Sequence, residues 1–410
     1  MRTGLLLAVG LVTGCGFGPR QLESGRVRYN EALKVSGEQQ FLLNVVRLRY
    51  TDTPSSLAVS GIADQRELAA GLRAVPFFTS AAAGDLGSYR GLVLPQAELT
   101  TAARPTLSYT PQDDEQFARR LFTPVTLDGV AYLAKTTWPV STVFRLYLEN
   151  LNWVSNAQTG SGPTPKRPPV YADFLAGIQA LQRLQDRGAV TFVTKESDDP
   201  QGDPVAAGDN PLGAAVEAAK GGLLVRKQGD GFRVVKVKSE PILRIDPAVK
   251  ASPDFECFCA AFKLDPSKTT FLLTTDKLDP FDAPPAEGLD KLDLETRSLL
   301  QVLYFAANGV EVPPEHLTSG VAPLTVGPDG AAFDWRPVVG DLITIKHATG
   351  RKPPPCAAVA VRYRDHWFYL DDRDRDSKAT FALLLEVSRL ELGGNKPSAA
   401  PLLTIPVGGR

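Results

Sequence analysis

The densest run of charged side chains in the sequence comprises Arg362, Arg364, Asp365 and His366, followed by Asp371, Asp372, Arg373, Asp374, Arg375, Asp376 and Lys378. Asp372, Asp374 and Asp376 stand at the i, i+2, i+4 spacing at which a Ca²⁺ loop gathers carboxylates around a hard cation. The sixth position of such a loop holds Ser377 in place of glycine and the twelfth Leu383 in place of a bidentate glutamate, so the signal is weak and no metal ligand is assigned. The first remaining reading is a binding surface at the end of a hairpin, made of Arg362, Arg364, His366, Asp372, Arg373, Asp374, Arg375 and Asp376. An extended 372–376 would send arginines and aspartates to opposite sides, freeing the guanidiniums for a planar anionic or aromatic partner. The second reading is a solvated ion-pair network, favoured if the segment turns. Its exposed pairs contribute about 0 to 1 kcal/mol each, and Asp376 or Ser377 would cap the helix that follows.

Catalytic constellations are not recognisable. His366 is the only one of the three histidines inside the charged run; His316 follows Pro313-Pro314 in a loop and His347 ends a strand. Asp365 and His366 on one strand would point to opposite faces, which makes a poor dyad. Gly-x-Ser-x-Gly, Ser-x-x-Lys, His-Glu-x-x-His, Walker and Gly-x-Gly-x-x-Gly patterns are missing from the sequence. No catalytic residue and no cofactor is therefore assigned. Cys257 and Cys259 would share a face of an extended segment, yet even with Cys356 they are too few for a structural zinc site. They read as buried small hydrophobes, or as partners for one bridge from Cys356 to either.

The start of the chain has its own chemistry. Met1-Arg2 is a short basic segment, Leu5 to Val12 is apolar, and Leu11-Val12-Thr13-Gly14-Cys15 ends on small residues before a cysteine. That is a secretory signal, with an apolar run too short for a bilayer of about 30 Å. The run Leu11 to Cys15 resembles the bacterial lipobox, which implies cleavage before Cys15 and acylation of its thiol and amine. Residues 1–14 are thus expected to be a signal peptide and 15–25 a lipidated tether, with several acyl chains anchoring the protein to the membrane. Gly16, where an inner-membrane lipoprotein would carry Asp, favours the outer membrane over the inner. The 45 Lys+Arg against 46 Asp+Glu offer no basic excess for a phosphate backbone, so nucleic acid is not an expected partner.

Behind these residues the pattern predicts an α+β fold, a helix-rich N-terminal lobe over 26–157 and a strand-rich C-terminal lobe over 170–410. The Gly- and Pro-rich segment 158–169 reads as the linker, or equally as a surface loop inside one domain. A helical stripe runs from Tyr29 to Leu48, with Gly37 expected to kink or split it. Leu57 to Ile62 and Thr106 to Tyr109 read as strands around a Gly/Ala-rich stretch that is irregular or edge-like. Further on, the pattern predicts a helix ended by Gly188, a strand from Val190 and a polar excursion from Asp198 to Gly213. A hairpin from Leu223 to Lys238 and a second linker from Leu278 to Gly288 come next. The tail reads as a helix around Leu299 and Leu303 with Gly309 at C′, strands at 341–346, 357–363 and 366–370, a helix from Ser377 to about Leu390 and a strand at 402–406.

Tyr29-Asn30-Glu31-Ala32-Leu33, Gln39 to Tyr50, Val361-Arg362-Tyr363-Arg364 and Trp367 to Asp374 together resemble a family of uncharacterised bacterial lipoproteins. The resemblance implies the lipid anchor and supplies no activity. The expectation is a membrane-anchored envelope lipoprotein facing the periplasm that binds or scaffolds an envelope protein. The rival is a periplasmic hydrolase or other enzyme with an unrecognised site.

Overall fold

The computed structural model describes residues 19–55, 57–78, 91–111, 115–200, 205–206, 222–228, 231–276 and 288–392. Cys15 with the rest of the signal, the second linker apart from Gly288 and the strand at 402–406 lie outside the described residues, as does most of the excursion after Asp198. The fold is α+β. In chain order the elements are α1 (Pro19–Arg49), β1 (Leu57–Phe78), β2 (Gly91–Pro111), α2 (Glu115–Phe122), α3 (Leu127–Lys135), α4 (Val140–Tyr147), β3 (Leu148–Leu151) and β4 (Val154–Ser155). These are followed by α5 (Ala172–Asp186), β5 (Val190–Pro200), β6 (Val205–Ala206), β7 (Leu224–Gln228), β8 (Gly231–Ile245), α6 (Pro253–Ala261), β9 (Thr270–Thr274) and β10 (Lys291–Thr296). The last are α7 (Leu299–Ala307), α8 (Pro314–Thr318), β11 (Lys346–Ala348), β12 (Ala357–Tyr363), β13 (His366–Asp371) and α9 (Arg375–Leu392).

Two compact units form, residues Ser55–Phe117 and the remainder. The smaller contains β1 and β2, which pair antiparallel from Leu57 with Pro111 to Phe78 with Gly91, with one register shift between Val59 and Gly61. Of the Gly/Ala-rich stretch expected to be irregular or edge-like, residues 63–78 and 91–105 are therefore paired strand. In the larger unit a sheet runs β4-β3-β10-β9-β8-β5, with β6 and β7 also paired to β8, and a separate sheet is ordered β11-β13-β12. The β9 and β10 pair is parallel. Segment 158–169 lies inside this unit and is no hinge: Gly160 and Ser161 are buried, and the Asn308 amide donates to Gly160 O at 3.1 Å.

Other local expectations shift for identifiable reasons. Helix α1 begins at Pro19, inside the expected tether, and passes Gly37 unbroken; a proline suits a helix start, and one interior glycine costs only about 1 kcal/mol. Helix α7 carries a full capping box, with Gln301 Oε1 accepting from Ser298 N at 2.7 Å. Gly309 keeps a negative φ, and its lack of a side chain is needed because Ile343 O approaches too closely for any Cβ. Of the strand expected over 341–346, residues 341–344 are turn and loop behind a π-helical turn at Arg336–Gly340, Ile345 makes an isolated parallel bridge with Val310, and Lys346 opens the paired strand Lys346–Ala348. Cys257 and Cys259 sit on α6, not on an extended segment, so they fall on different faces; Cys259 is buried, and among the described residues Cys257, Cys259 and Cys356 are all free thiols.

Helices α5 and α6 cross so tightly that a Cβ on Gly177 would stand 2.5 Å from the Phe262 ring. Phe174 and Phe258 pack edge-on against that ring at centroid distances of 5.7 and 5.5 Å. Leu303, 6% exposed, belongs to the same continuous core. Leu303→Ala should lower unfolding free energy by about 2 to 5 kcal/mol. A urea midpoint equal to that of the wild type would place α7 outside the core.

Candidate functional site

The charged run does not form one constellation. Strand β13, six residues at about 3.3 Å each, separates its two ends by nearly 20 Å. Arg362, Arg364, Asp365 and His366 lie at the turn between β12 and β13, whereas Asp372 to Asp376 lie at the start of α9.

At the α9 end the segment turns. Asp374 is the capping residue, accepting from Ser377 N at 3.1 Å and from Ser377 Oγ at 2.7 Å, so the cap lies two residues before Asp376 and three before Ser377. Asp372 pairs with Lys378 at 2.5 Å, and Asp371 pairs with Lys346 at 3.1 Å and with Arg373 at 3.4 Å. Asp371 is held below the usual carboxylate range, first by the Arg373 backbone N–H and then by Lys346. Arg375 and Asp376 are exposed. Asp371, Asp372 and Asp374 are thus occupied by lysines, an arginine and a helix end. Among the described residues no group of three or more His, Cys, Asp or Glu could hold a metal ion.

The other end is more unusual. Tyr363 pairs with His366, so Arg364 and Asp365 form a two-residue turn. Both have left-handed backbones, with φ of 46° and 66°, as the strand-matching type I′ turn requires. Glycine or asparagine normally fills such positions, and an arginine there is strained. What holds it comes from the end of α1. Asp52 N donates to Arg47 O at 2.9 Å and Thr51 N to Leu48 O at 3.1 Å, with Thr51 at φ 60°. This Schellman closure presents Tyr50 and Asp52 beyond the helix. Asp52 then accepts from Tyr363 Oη and pairs with Arg364 at 3.1 Å. The Arg364 guanidinium lies 5.4 Å from the Tyr50 ring and 5.3 Å from the Tyr363 ring, a distance at which cation and ring attract.

Beneath that turn all three histidines of the chain meet. His316 on α8 and His366 on β13 are 4.9 Å apart between ring centroids, and His347 on β11 is 6.1 Å from His366. Tyr50 Oη lies 2.8 Å from His316 Nδ1. Burial pushes the Tyr50 phenol up to about 12, so Tyr50 is the donor and the imidazole the acceptor. Burial first, and then the neighbouring His366, hold His316 below its ordinary value, which fits a neutral ring. His366 Nδ1 lies 3.1 Å from Arg364 O and can only donate there. Its Nε2 is 2.8 Å from Glu315 Oε1, close enough for an ion pair but not aligned as a hydrogen bond. The ensemble clasps α1, α8 and the hairpin together, and it contains no serine, cysteine or lysine nucleophile.

Sequence reading placed Arg362, Arg364 and His366 correctly at a hairpin end and missed Tyr50, Asp52, Glu315, His316 and His347. Their contacts span separations of up to 312 residues. Tyr50-Thr51-Asp52 read only as a helix end, and each histidine only as isolated. Compared with known protein families, curated proteins and solved structures, the chain matches none.

A base whose folded-state pKa is depressed takes up its proton more readily in the unfolded chain, so stability is lost as pH falls through the ordinary value. For His316 that value is 6.5, and the loss should begin there. Glu315 is also held low, first by its own backbone N–H and then by His366, and adds a further loss only below 4.5. Melting temperature should therefore drop from about pH 7 to about pH 5.5, and His316→Asn, which keeps an acceptor for Tyr50, should flatten that drop. An identical slope in the variant would remove His316 as the cause.

Proposed function

We propose that this chain is a lipid-anchored lipoprotein of the bacterial cell envelope, facing the periplasm from the outer membrane, that binds an envelope protein through the tip of the β12–β13 hairpin. The observation that carries the binding reading is Arg364. It stands in a backbone conformation costing of order 1 to 3 kcal/mol, yet an aspartate and two tyrosines hold it there, and its side chain remains 39% exposed. Strain kept in place by surrounding groups at an exposed tip is a mark of a recognition element rather than of packing. Arg362, half-exposed and paired only to the exposed Asp365 at 3.3 Å, adds a second planar donor beside it. The turned segment Asp372–Asp376 offers less, because Asp372 and Asp374 are already engaged.

Anchoring is supported by the run from Leu11 to Cys15. Among the described residues no helix is long and apolar enough to cross a membrane, so the lipid is the attachment to test first. Cys15→Ala should move the protein from the membrane pellet to the salt-washed supernatant; a variant that is still cleaved and still sediments with membranes contradicts the lipid assignment. For binding, Arg362→Ala combined with Arg364→Gly, which also relieves the left-handed turn, should keep or slightly raise the melting temperature. It should lose the proteins cross-linked to the wild type in intact envelopes. An unchanged cross-linking pattern from the folded double variant removes the hairpin tip as the site.

A further inference from the structure

We propose that the outer face of the β11-β13-β12 sheet continues the hairpin-tip site and takes an acidic segment of the envelope protein bound there. The proposal rests on the binding reading above and names the chemistry of its partner. Directly opposed residues of an antiparallel pair share a face, and alternate residues take the other. Ala348, Trp367 and Arg362 therefore form one row across the three strands, and Lys346, Tyr369 and Ala360 form the next row on the same face. The reverse face carries Phe368 and Val361, which are buried in the core. The outer face has no such cover: Arg362 is exposed and the other five residues are half-buried.

Each aromatic ring in these rows has an alanine on one side and a cation on the other. An alanine is too short to cover the ring beside it, so both rings stay open to a partner. Trp, Tyr and Arg are the residue types on which protein interfaces concentrate their affinity. From Arg362 to Lys346 is two strand spacings of ~4.8 Å and an offset of two residues at ~3.3 Å each, about 12 Å in all. That is the reach of about four extended residues.

Charge decides what that partner carries. Trp367 Nε1 donates to Gly350 O at 3.2 Å, which fixes the loop that leaves β11 at the same end of the sheet as the Arg364–Asp365 turn. The next two residues, Arg351 and Lys352, are exposed, and among the described residues neither side chain has an ion pair or a hydrogen bond. The carboxylates of the face and its turn are already matched, Asp52 by Arg364, Asp365 by Arg362 and Asp371 by Lys346. Two cations are thus left uncompensated beside the aromatic pair, and a neutral or basic partner would desolvate them without pairing them. Acidic side chains pair them. An anionic bilayer would too, but Trp367 is half-buried and tied by its ring nitrogen to Gly350, so it cannot reach into a headgroup layer as an interfacial tryptophan does. A protein segment can lie down on such recessed rings.

The test uses the full-length protein in intact envelopes, with photoreactive benzoylphenylalanine in place of Tyr369. Two quantities are read: the yield of the adduct and, by mass spectrometry, the segment to which it maps. The expected adduct is a protein segment rich in Asp and Glu. Its yield should fall at least tenfold when Arg351→Glu and Lys352→Glu are combined, and should stay within about twofold when Arg351→Lys and Lys352→Arg exchange the cations without removing charge. A phospholipid adduct, a neutral or basic segment, or wild-type yield from the charge-reversed variant overturns the proposal. So does the absence of any adduct at this position, and Arg362→Ala combined with Arg364→Gly then decides the parent reading separately. Loss of the envelope cross-links in that variant leaves the hairpin tip standing without the sheet face, whereas an unchanged pattern removes both.

Discussion

A guanidinium with no water around it organises the larger unit. Arg297 is fully buried and makes four hydrogen bonds, to Ser161 Oγ at 2.7 Å and to the carbonyls of Arg145, Leu146 and Asn156 at 2.7, 3.1 and 2.5 Å. Its face lies 4.1 Å from the centre of the Phe305 ring. Burial lowers its pKa to about 9, so it still carries its charge at neutral pH. A buried charge is tolerated only when its donors are met. Here they are met by backbone at the end of α4 and in the loop behind β4, which are thereby fixed to α7 through Arg297. In that loop Ala157 takes a left-handed backbone, as do Asn152 and Trp153 in the two-residue turn between β3 and β4. Glu149 stands near enough to favour the charge, and burial raises its own pKa.

The same device recurs outward from this point. Arg145 donates to both carboxylate oxygens of Asp341 at 2.6 Å and to Val338 O at 2.8 Å, which ties the π-turn to α4. Beyond that turn Ile345 N donates to Gly309 O at 2.9 Å and leads into β11 with His347. Arg49, buried at the end of α1, donates to Thr164 Oγ1 at 3.0 Å and to Pro323 O at 2.9 Å. Arg49 adjoins Tyr50, so that anchorage sets the position of the residue that meets His316 and Arg364. Planar donors buried against carbonyls thus fix loops that carry little apolar surface, and the histidine clasp sits at the end of this chain of contacts.

The sequence pattern revealed what depends on local periodicity. Helix α7, helix α5 ended by Gly188, and the β7–β8 and β12–β13 hairpins follow from apolar spacing and turn residues within short windows. What escaped depends on partners far away. Segment 158–169 looked like a linker because it is rich in Gly and Pro, yet its carbonyls and Ser161 are what buried side chains need. The Ala-rich β1 and β2 lack β-branched runs and are strands by mutual pairing, not by propensity. The three histidines have no common spacing, and their meeting follows from the packing of α1, α8 and two sheet strands, which no local pattern encodes.

Substitution of Arg297 tests this account most directly. Methionine fills a similar volume without a single donor, and lysine keeps the charge but not the planar fork. If carbonyl satisfaction by the guanidinium holds the unit together, urea unfolding should show Arg297→Met less stable by about 3 kcal/mol or more, with Arg297→Lys in between, because several buried acceptors lose their partners. An Arg297→Met protein within about 0.5 kcal/mol of the wild type would contradict it, since the buried charge would then be replaceable by apolar packing alone.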